Sequence, residues 1–333
     1  MSLPRFVFVV HALTVTHRRV MGVRMGSPAI LFALRDGTEP SDIGVICRFE
    51  LENVAEGIVV GVPMSAQQLL DDQDRALDRM RHAIELVEQT GPVDAVGLGS
   101  LCAVVASRGE ALGESIEPPV TNGGAATAWA LFENTWAVWQ AQEGQGPVAV
   151  IGSNSPVGRA VACLLSEKAV PLRVDGKRGG RGLGATICAS PEETVQGCQL
   201  IVGAGPTGNS LDPAAVEKGA VLIDVALPDT LRGPAPAGVQ VLAGEAVSTP
   251  TSWRRGFWGT LYQIFAGYGP HQVFACLIEP LVLAASPRNT SWSIGRKLTA
   301  DTVRRFGEQA RALGFAPRLA RVWWEVPIDK LVR

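Results

Sequence analysis

The chain has 333 residues, of which 47% are hydrophobic and 19% are charged, and its formal net charge is −2. At about 150 residues per domain, this length predicts two compact domains, and the hydrophobic share excludes general disorder. The 30 basic residues are balanced by 32 acidic ones. Because there is no surplus of positive charge to neutralise phosphates, the chain is not expected to bind nucleic acid.

The six cysteines include no C-x-x-C pair, so a cysteine zinc site is not expected and no metal ligands are assigned. Most of them lie in apolar runs and are predicted to be small buried side chains, which suits a reducing cytoplasm. Residues 256–278 contain no Asp, Glu, Lys or Arg, but four Gly, one Pro, one His and two Gln interrupt them. The chain is therefore predicted to be soluble and cytoplasmic, without a membrane span.

The N-terminal part has the pattern of a mixed α/β domain. Its predicted elements, in chain order, are strands at 6–10, 43–49 and 57–62, a helix with an apolar stripe at 69–87, a strand at 94–98 and a helix from about 123 to 142. We assign residues 1–146 to a substrate-binding domain that residues 251–333 complete. Within it, His11 and His82 are predicted to be structural, hydrogen-bonded side chains.

The pattern changes at residues 143–147, which are rich in glycine and end in proline. Beyond this break, predicted strands at 148–152, 171–175, 185–188, 199–203, 220–224 and 239–242 are interleaved with helices at 157–168, 191–196 and 213–218. This alternation is typical of a parallel sheet with crossover connections. The predicted fold class is therefore α/β, with a Rossmann-like doubly wound parallel sheet at 147–250 beside the mixed α/β substrate domain.

A glycine turn follows the first strand of this second domain. Gly152 allows the tight turn, Gly158 allows close packing of helix on strand, and Ser155 stands in the middle of the G-x-x-G-x-x-G spacing. The predicted cofactor-binding residues are Gly152, Ser153, Asn154, Ser155, Val157, Gly158, Asp175, Arg178, Gly203 and Ala204. Asp175 at the end of the next strand favours NAD, whereas Lys177 and Arg178 suit the 2′-phosphate of NADP. The predicted cofactor is thus NADPH or NADH.

One cysteine, Cys276, lies near the start of an apolar helix. The helix dipole stabilises a thiolate at that position, so Cys276 is a candidate nucleophile, and the alternative is a cysteine that serves packing alone. His271 lies five residues earlier, which is the wrong spacing for pairing along one helix. Glu279 lies three residues later and could shape the surroundings of the thiol.

Several blocks together make the chain resemble the long-chain acyl-acyl-carrier-protein reductases of cyanobacteria, from about His11 to Leu319. The matching blocks are 96–100 (VGLGS), 127–129 (TAW), 148–160, 221–224 (VLID), 272–276 (QVFAC) with Glu279, 291–292 (SW) and 314–315 (GF). The chain departs from this family at Ser155, where the family has glycine, and at Ala126, where it has histidine.

The resemblance implies an aldehyde-forming oxidoreductase in which Cys276 takes an acyl group from the thioester of an acyl carrier protein or acyl-CoA. Hydride from NAD(P)H would then release a fatty aldehyde, which a downstream aldehyde-consuming enzyme could take up. The substrate residues implied in this way are Gly99, Ser100, Thr121, Gly123 and Thr127. Two alternatives remain open: a dehydrogenase of the shikimate-dehydrogenase type without covalent catalysis, and a catalytically inactive binding relative. Arg254 and Arg255 belong either to a carrier-protein docking patch or to a solvated loop.

Overall fold

The computed structural model describes residues 3–11, 44–64, 66–206, 208–226, 229–257, 259–260, 269, 271–287, 292–321 and 324–325. Ser291, from one of the matching blocks, lies outside these residues. The chain forms two compact units. Unit 1 comprises Met1–Gly124, Thr249–Lys297 and Glu308–Phe315, and unit 2 comprises Ala125–Ser248, Leu298–Gly307 and Ala316–Arg333.

The described residues form strands and helices in both units. The strands are β1 (Arg5–His11), β2 (Gly44–Leu51), β3 (Ala55–Val62), β4 (Ala95–Leu98), β5 (Val120–Thr121), β6 (Val148–Ile151), β7 (Leu172–Val174), β8 (Thr186–Ile187), β9 (Leu200–Gly203), β10 (Val221–Asp224), β11 (Gln240–Ala243), β12 (Ala246–Ser248), β13 (Trp253–Arg255), β14 (Gln272–Phe274), β15 (Ala316–Pro317), β16 (Ala320–Arg321) and β17 (Trp324–Glu325).

The α-helices are α1 (Ala66–Asp71), α2 (Gln73–Glu88), α3 (Val105–Arg108), α4 (Glu110–Gly113), α5 (Gly124–Ala141), α6 (Pro156–Glu167), α7 (Lys177–Gly180), α8 (Pro191–Thr194), α9 (Ala275–Ala284) and α10 (Ala300–Ala312). Short 3₁₀ turns lie at Ser100–Ala103 and Pro213–Ala215. The single helix predicted at 69–87 is two helices, because Asp72 accepts a hydrogen bond from the Arg75 amide and so begins a new helix at Gln73.

The sheet of unit 1 is mixed, with the strand order β13-β2-β3-β1-β4-β5. Strands β3, β1, β4 and β5 are parallel to one another. At one side of the sheet, β2 pairs antiparallel with β3, and β13 pairs antiparallel with β2. The four parallel strands therefore present their carboxyl ends at one edge of the sheet. His11 ends β1, Leu98 ends β4 and Thr121 ends β5 at this edge.

Helices cover both faces of that sheet. On one face Val7 and Ile58 belong to the same core as Met80 of α2, and all three are buried. On the other face α9 packs against β4, where a side chain at Gly97 would overlap Pro280. Glycine at position 97 therefore lets this helix approach the strand closely.

The sheet of unit 2 has the order β17-β16-β11-β10-β9-β6-β7-β8, and its strands β6 to β11 are all parallel. Strands β6, β9 and β10 are buried along their whole length, which explains why their sequences are continuous apolar runs. Two short antiparallel strands, β16 and β17, extend the sheet at one edge. The predicted α/β class with a Rossmann-like parallel sheet is confirmed.

Candidate functional site

Cys276 lies at the carboxyl edge of the unit 1 sheet, as the second residue of α9. The chain passes directly beside it at Gly123, where any side chain would overlap the Cys276 Cβ. Gly123 also has a φ of +76°, a left-handed conformation that suits glycine. Two independent constraints therefore require glycine next to the cysteine.

A buried carboxylate secures the backbone around Cys276. Glu279 is fully buried and accepts hydrogen bonds from the hydroxyls of Thr121 and Ser293, the latter at 2.5 Å. The Gly124 amide, at the start of α5, donates to Ser293 Oγ at 2.8 Å. Thr121, predicted as a substrate residue, thus links β5 to α9. Glu279 is a positioning residue, because it fixes the backbone that carries the thiol.

Pro280 changes the hydrogen bonding of α9. Proline has no N–H group, so it cannot donate to the carbonyl of Cys276 four residues earlier. The first turn of α9 therefore lacks one bond of the helical ladder at the position of the cysteine.

A second pair of polar side chains lies at the same edge of the sheet. His11 Nε2 is 3.1 Å from Ser100 Oγ, and His11 is buried. Ser100 follows β4 with a φ of 52°, an uncommon conformation for a residue other than glycine. Gly99 donates its amide to the Val9 carbonyl at 2.9 Å, which holds this turn against β1. The predicted structural histidine is thus a partner of a predicted substrate residue.

The cysteines differ in burial. Burial raises the pKa of Cys102 to about 12 and that of Cys198 to about 11, and it also raises the pKa of Cys47. These thiols stay protonated near neutral pH, so they are poor nucleophiles. Cys276 is only partly buried, as is Cys163 on α6. Exposure therefore distinguishes the predicted nucleophile from most other cysteines in the described residues.

The predicted cofactor residues come together at the glycine turn of unit 2, where a carboxylate of the chain binds the turn amides. Asp175 accepts hydrogen bonds from the Gly152 amide at 2.7 Å and from the amide and hydroxyl of Ser153 at 3.0 and 2.8 Å. Amides at such a turn are the groups that a pyrophosphate would need. Asp175 is therefore engaged with the turn itself and not directed toward a ribose.

Other side chains of this turn also have partners within the chain. Ser155 accepts from the Gly158 amide at 2.9 Å and donates to the Ala204 carbonyl at 2.8 Å, so it caps α6. Asn154 accepts from the Gly179 amide at 3.0 Å. Among the other predicted cofactor residues, Val157 is half-buried, Arg178 is exposed and Gly203 packs under Asp224. The predicted substrate residue Thr127 is half-buried on α5.

Two findings concern metals and membranes. Within the part of the chain that the structure describes, no group of three or more His, Cys, Asp or Glu side chains could hold a metal ion. Among the same residues, no helix combines the length and apolar character needed to cross a bilayer.

No family model matches the chain. It is similar to a protein named aminotransferase PigE from Serratia sp. (strain ATCC 39006), with 28% identity over 279 residues. The similarity covers 78% of this chain but 32% of that protein, so the chain spans about a third of the length of the curated relative it matches.

This comparison corrects the predicted identity and function. The relative is named as an aminotransferase and not as an acyl-carrier-protein reductase, so the predicted family and the predicted reduction of a thioester to a fatty aldehyde are wrong. The similarity is to an enzyme, as expected, but to a transferase and not to an oxidoreductase. The two alternatives, a dehydrogenase and an inactive relative, receive no support either.

The predicted NADPH or NADH cofactor is contradicted as well, because aminotransferases typically use pyridoxal phosphate. The structure gives a physical reason for this error. The Gly152 and Ser153 amides, which the prediction assigned to the cofactor, donate to Asp175 of the chain itself.

The described residues do not fit pyridoxal phosphate. Enzymes that use it hold it through a lysine amine, with an acidic or basic partner for the ring nitrogen. The described lysines are Lys168, Lys177, Lys218 and Lys297, and all four are exposed. Lys168 lies over the Trp136 ring at 5.7 Å. Lys330 lies outside the described residues.

Proposed function

We propose that the chain takes part in amino-group transfer as a component that binds the carbonyl-bearing substrate, while pyridoxal phosphate is held elsewhere than on its described residues. The observation that carries this proposal is a similarity to an aminotransferase that is confined to about a third of that protein, in a chain with no enclosed lysine among the described residues. An aminotransferase needs an amino acceptor as well as a cofactor, and the acceptor is a carbonyl compound.

The carboxyl edge of the unit 1 sheet supports this assignment. Ligands of α/β proteins commonly bind at the carboxyl ends of parallel strands. At this edge the chain carries the Cys276 thiol, the Ser100 hydroxyl and the His11 imidazole. The N-terminus of α9 carries a partial positive charge, which favours a carbonyl or carboxylate oxygen.

The thiol gives the proposed site a defined chemistry. A thiol adds reversibly to an aldehyde or ketone: the sulfur–carbon bond forms, the carbonyl π bond opens and the thiol proton moves to the oxygen. No oxidant or reductant is needed for this addition. Cys276 would in this way hold a reactive carbonyl compound until its amino group is supplied.

Alkylation rates test the site. We expect that octanal slows the alkylation of Cys276 by iodoacetamide several-fold, because a thiol held as a carbonyl adduct is not nucleophilic. Cys163 is the matched control, since it is also partly buried but lies on α6. Peptide mass spectrometry measures both rates in one sample. Equal protection of both cysteines, or protection of neither, would contradict the proposal.

The placement of the cofactor needs a separate measurement. After incubation with pyridoxal phosphate and gel filtration, the chain alone should retain no stoichiometric cofactor and should transfer no ¹⁵N from labelled glutamate to octanal. This part is overturned if the chain alone retains pyridoxal phosphate and transfers ¹⁵N, and if Lys330→Ala abolishes both. That result would assign the cofactor to the chain itself.

A further inference from the structure

A cavity of about 830 Å³ lies at the side of the unit 1 sheet formed by β2, β3 and β13. Its volume is within the range of pockets that hold small molecules, about 300–1,000 Å³. The strand order places it at the opposite side of the sheet from β4 and β5. Its lining includes Arg48, Glu50, Glu56, Trp253, Arg254 and Arg255.

Two of the lining arginines have no acidic partner among the residues that the structure describes. Arg255 is half-buried, donates from Nε to Thr260 Oγ1 at 3.2 Å, and forms no ion pair within the described residues. Burial lowers the pKa of Arg255, which reflects the cost of keeping this cation partly out of water. Arg48 on β2 is exposed and also has no ion pair with any described carboxylate.

The neighbouring charges are mostly paired. Arg254 contacts Glu52 at 2.8 Å, and Glu56 contacts Arg5 at 2.5 Å. Glu50 is the one lining carboxylate without an ion pair in the described part of the chain, although its charge helps to raise the pKa of Arg254. The cavity is lined by the cations Arg48, Arg254 and Arg255 and by the carboxylates of Glu50 and Glu56, so the balance of charge in its lining is positive.

An aromatic pair gives the cavity an apolar wall. The rings of Phe49 and Trp253 stack with centroids 5.2 Å apart, and both residues line the cavity. Trp253 is buried, with 8% of its surface exposed, and its Nε1 has no hydrogen-bond acceptor among the described residues. A cavity with cationic groups and an aromatic wall suits a ligand that has an anionic group and an apolar body.

We propose that this cavity binds a small organic anion, whose carboxylate or phosphate contacts Arg255 and Arg48 while its carbon body packs against Phe49 and Trp253. Guanidinium groups bind both kinds of oxyanion through charge-assisted hydrogen bonds. This inference does not depend on the proposed function, because it concerns other residues at the other side of the sheet.

Calorimetric titration of the full chain with succinate and with inorganic phosphate tests the proposal, and succinamide provides a neutral control. We expect saturable binding of at least one anion, weakened about 10-fold or more by Arg255→Gln and by Arg48→Gln, since each removes a charge-assisted contact. Arg81→Gln, on α2, is the matched control and should leave the affinity unchanged.

The relative affinities for the two anions identify which oxyanion the site prefers. Arg48 is exposed, so its variant keeps the test valid if Arg255→Gln unfolds. The proposal is overturned if neither anion binds, if succinamide binds equally well, or if both arginine variants retain the affinity of the unaltered chain.

Discussion

The carboxyl edges of the two parallel sheets differ in how their polar groups are used. In unit 2, Asp175 and Ser155 at the glycine turn are hydrogen-bonded to groups of the same unit. In unit 1, the edge combines the His11–Ser100 pair with a thiol that is partly exposed at Cys276. The comparison teaches that the amides of a glycine turn can be bound by a carboxylate of the protein itself, whereas the thiol at the other edge keeps part of its surface exposed.

The largest expected effect concerns Asp224, at the carboxyl end of β10 in unit 2. Burial raises the pKa of Asp224 to about 7, although it accepts hydrogen bonds from the Ala226 and Thr230 amides. The folded chain then binds a proton more tightly than the unfolded chain, so the free energy of unfolding should fall as the pH rises from about 4 to about 7, by a few kcal/mol. Urea unfolding at a series of pH values measures this slope.

Asp224→Asn is the corresponding variant. It cannot titrate, so the fall in stability over the same pH range should be smaller by the share that Asp224 contributes. If the slope is the same in both chains, the buried carboxyl of this edge is not the titrating group.

Gly123→Ala tests how closely the unit 1 edge is packed. We expect the free energy of unfolding to fall by about 3 kcal/mol, because the new methyl group overlaps Cys276 and the left-handed φ is strained. Gly146→Ala is the matched control, since Gly146 has the same φ of +76° and no atom within 4 Å. Equal losses in urea unfolding would show that the backbone conformation alone matters and would remove the argument from close packing.

The smallest expected effect is that of Asp175→Asn in unit 2. An amide has only one acceptor oxygen, so one of the two turn amides loses its partner, and we expect a loss of roughly 1–2 kcal/mol in the free energy of unfolding. Inorganic phosphate should then raise the melting temperature of this variant more than that of the unaltered chain, because a turn amide becomes available to an anion. The same shift in both chains would show that Asp175 does not block the turn.

The fold follows from local sequence patterns better than the site does. Alternating apolar strands and helices beyond residue 147 were sufficient to predict the parallel sheet of unit 2, because buried parallel strands need continuous apolar runs. The break at Asp72 was missed because the apolar stripe continues through it. Spacing correctly brought Asp175 to the glycine turn, but spacing cannot tell whether a carboxylate binds a ribose or the turn amides.

The His11–Ser100 pair could not be found from local patterns, since it depends on the pairing of β1 with β4, which are 89 residues apart at this point. Gly99-Ser100 after a strand and His11 at the end of another were the signals for it, and only their common edge connects them. The functional prediction depended on a resemblance carried by short blocks, and the similarity to a protein named as an aminotransferase overturned it.

The anchors of α9 have a consequence for the sulfur at the candidate site. The helix is anchored at Glu279 by the Thr121 and Ser293 hydroxyls and at Pro280 by its fit against Gly97. The turn that carries the thiol precedes both anchors and is itself held by the close approach of Gly123 to the Cys276 Cβ. With the backbone fixed on both sides, the sulfur can change its place only by turning about its own side-chain bond.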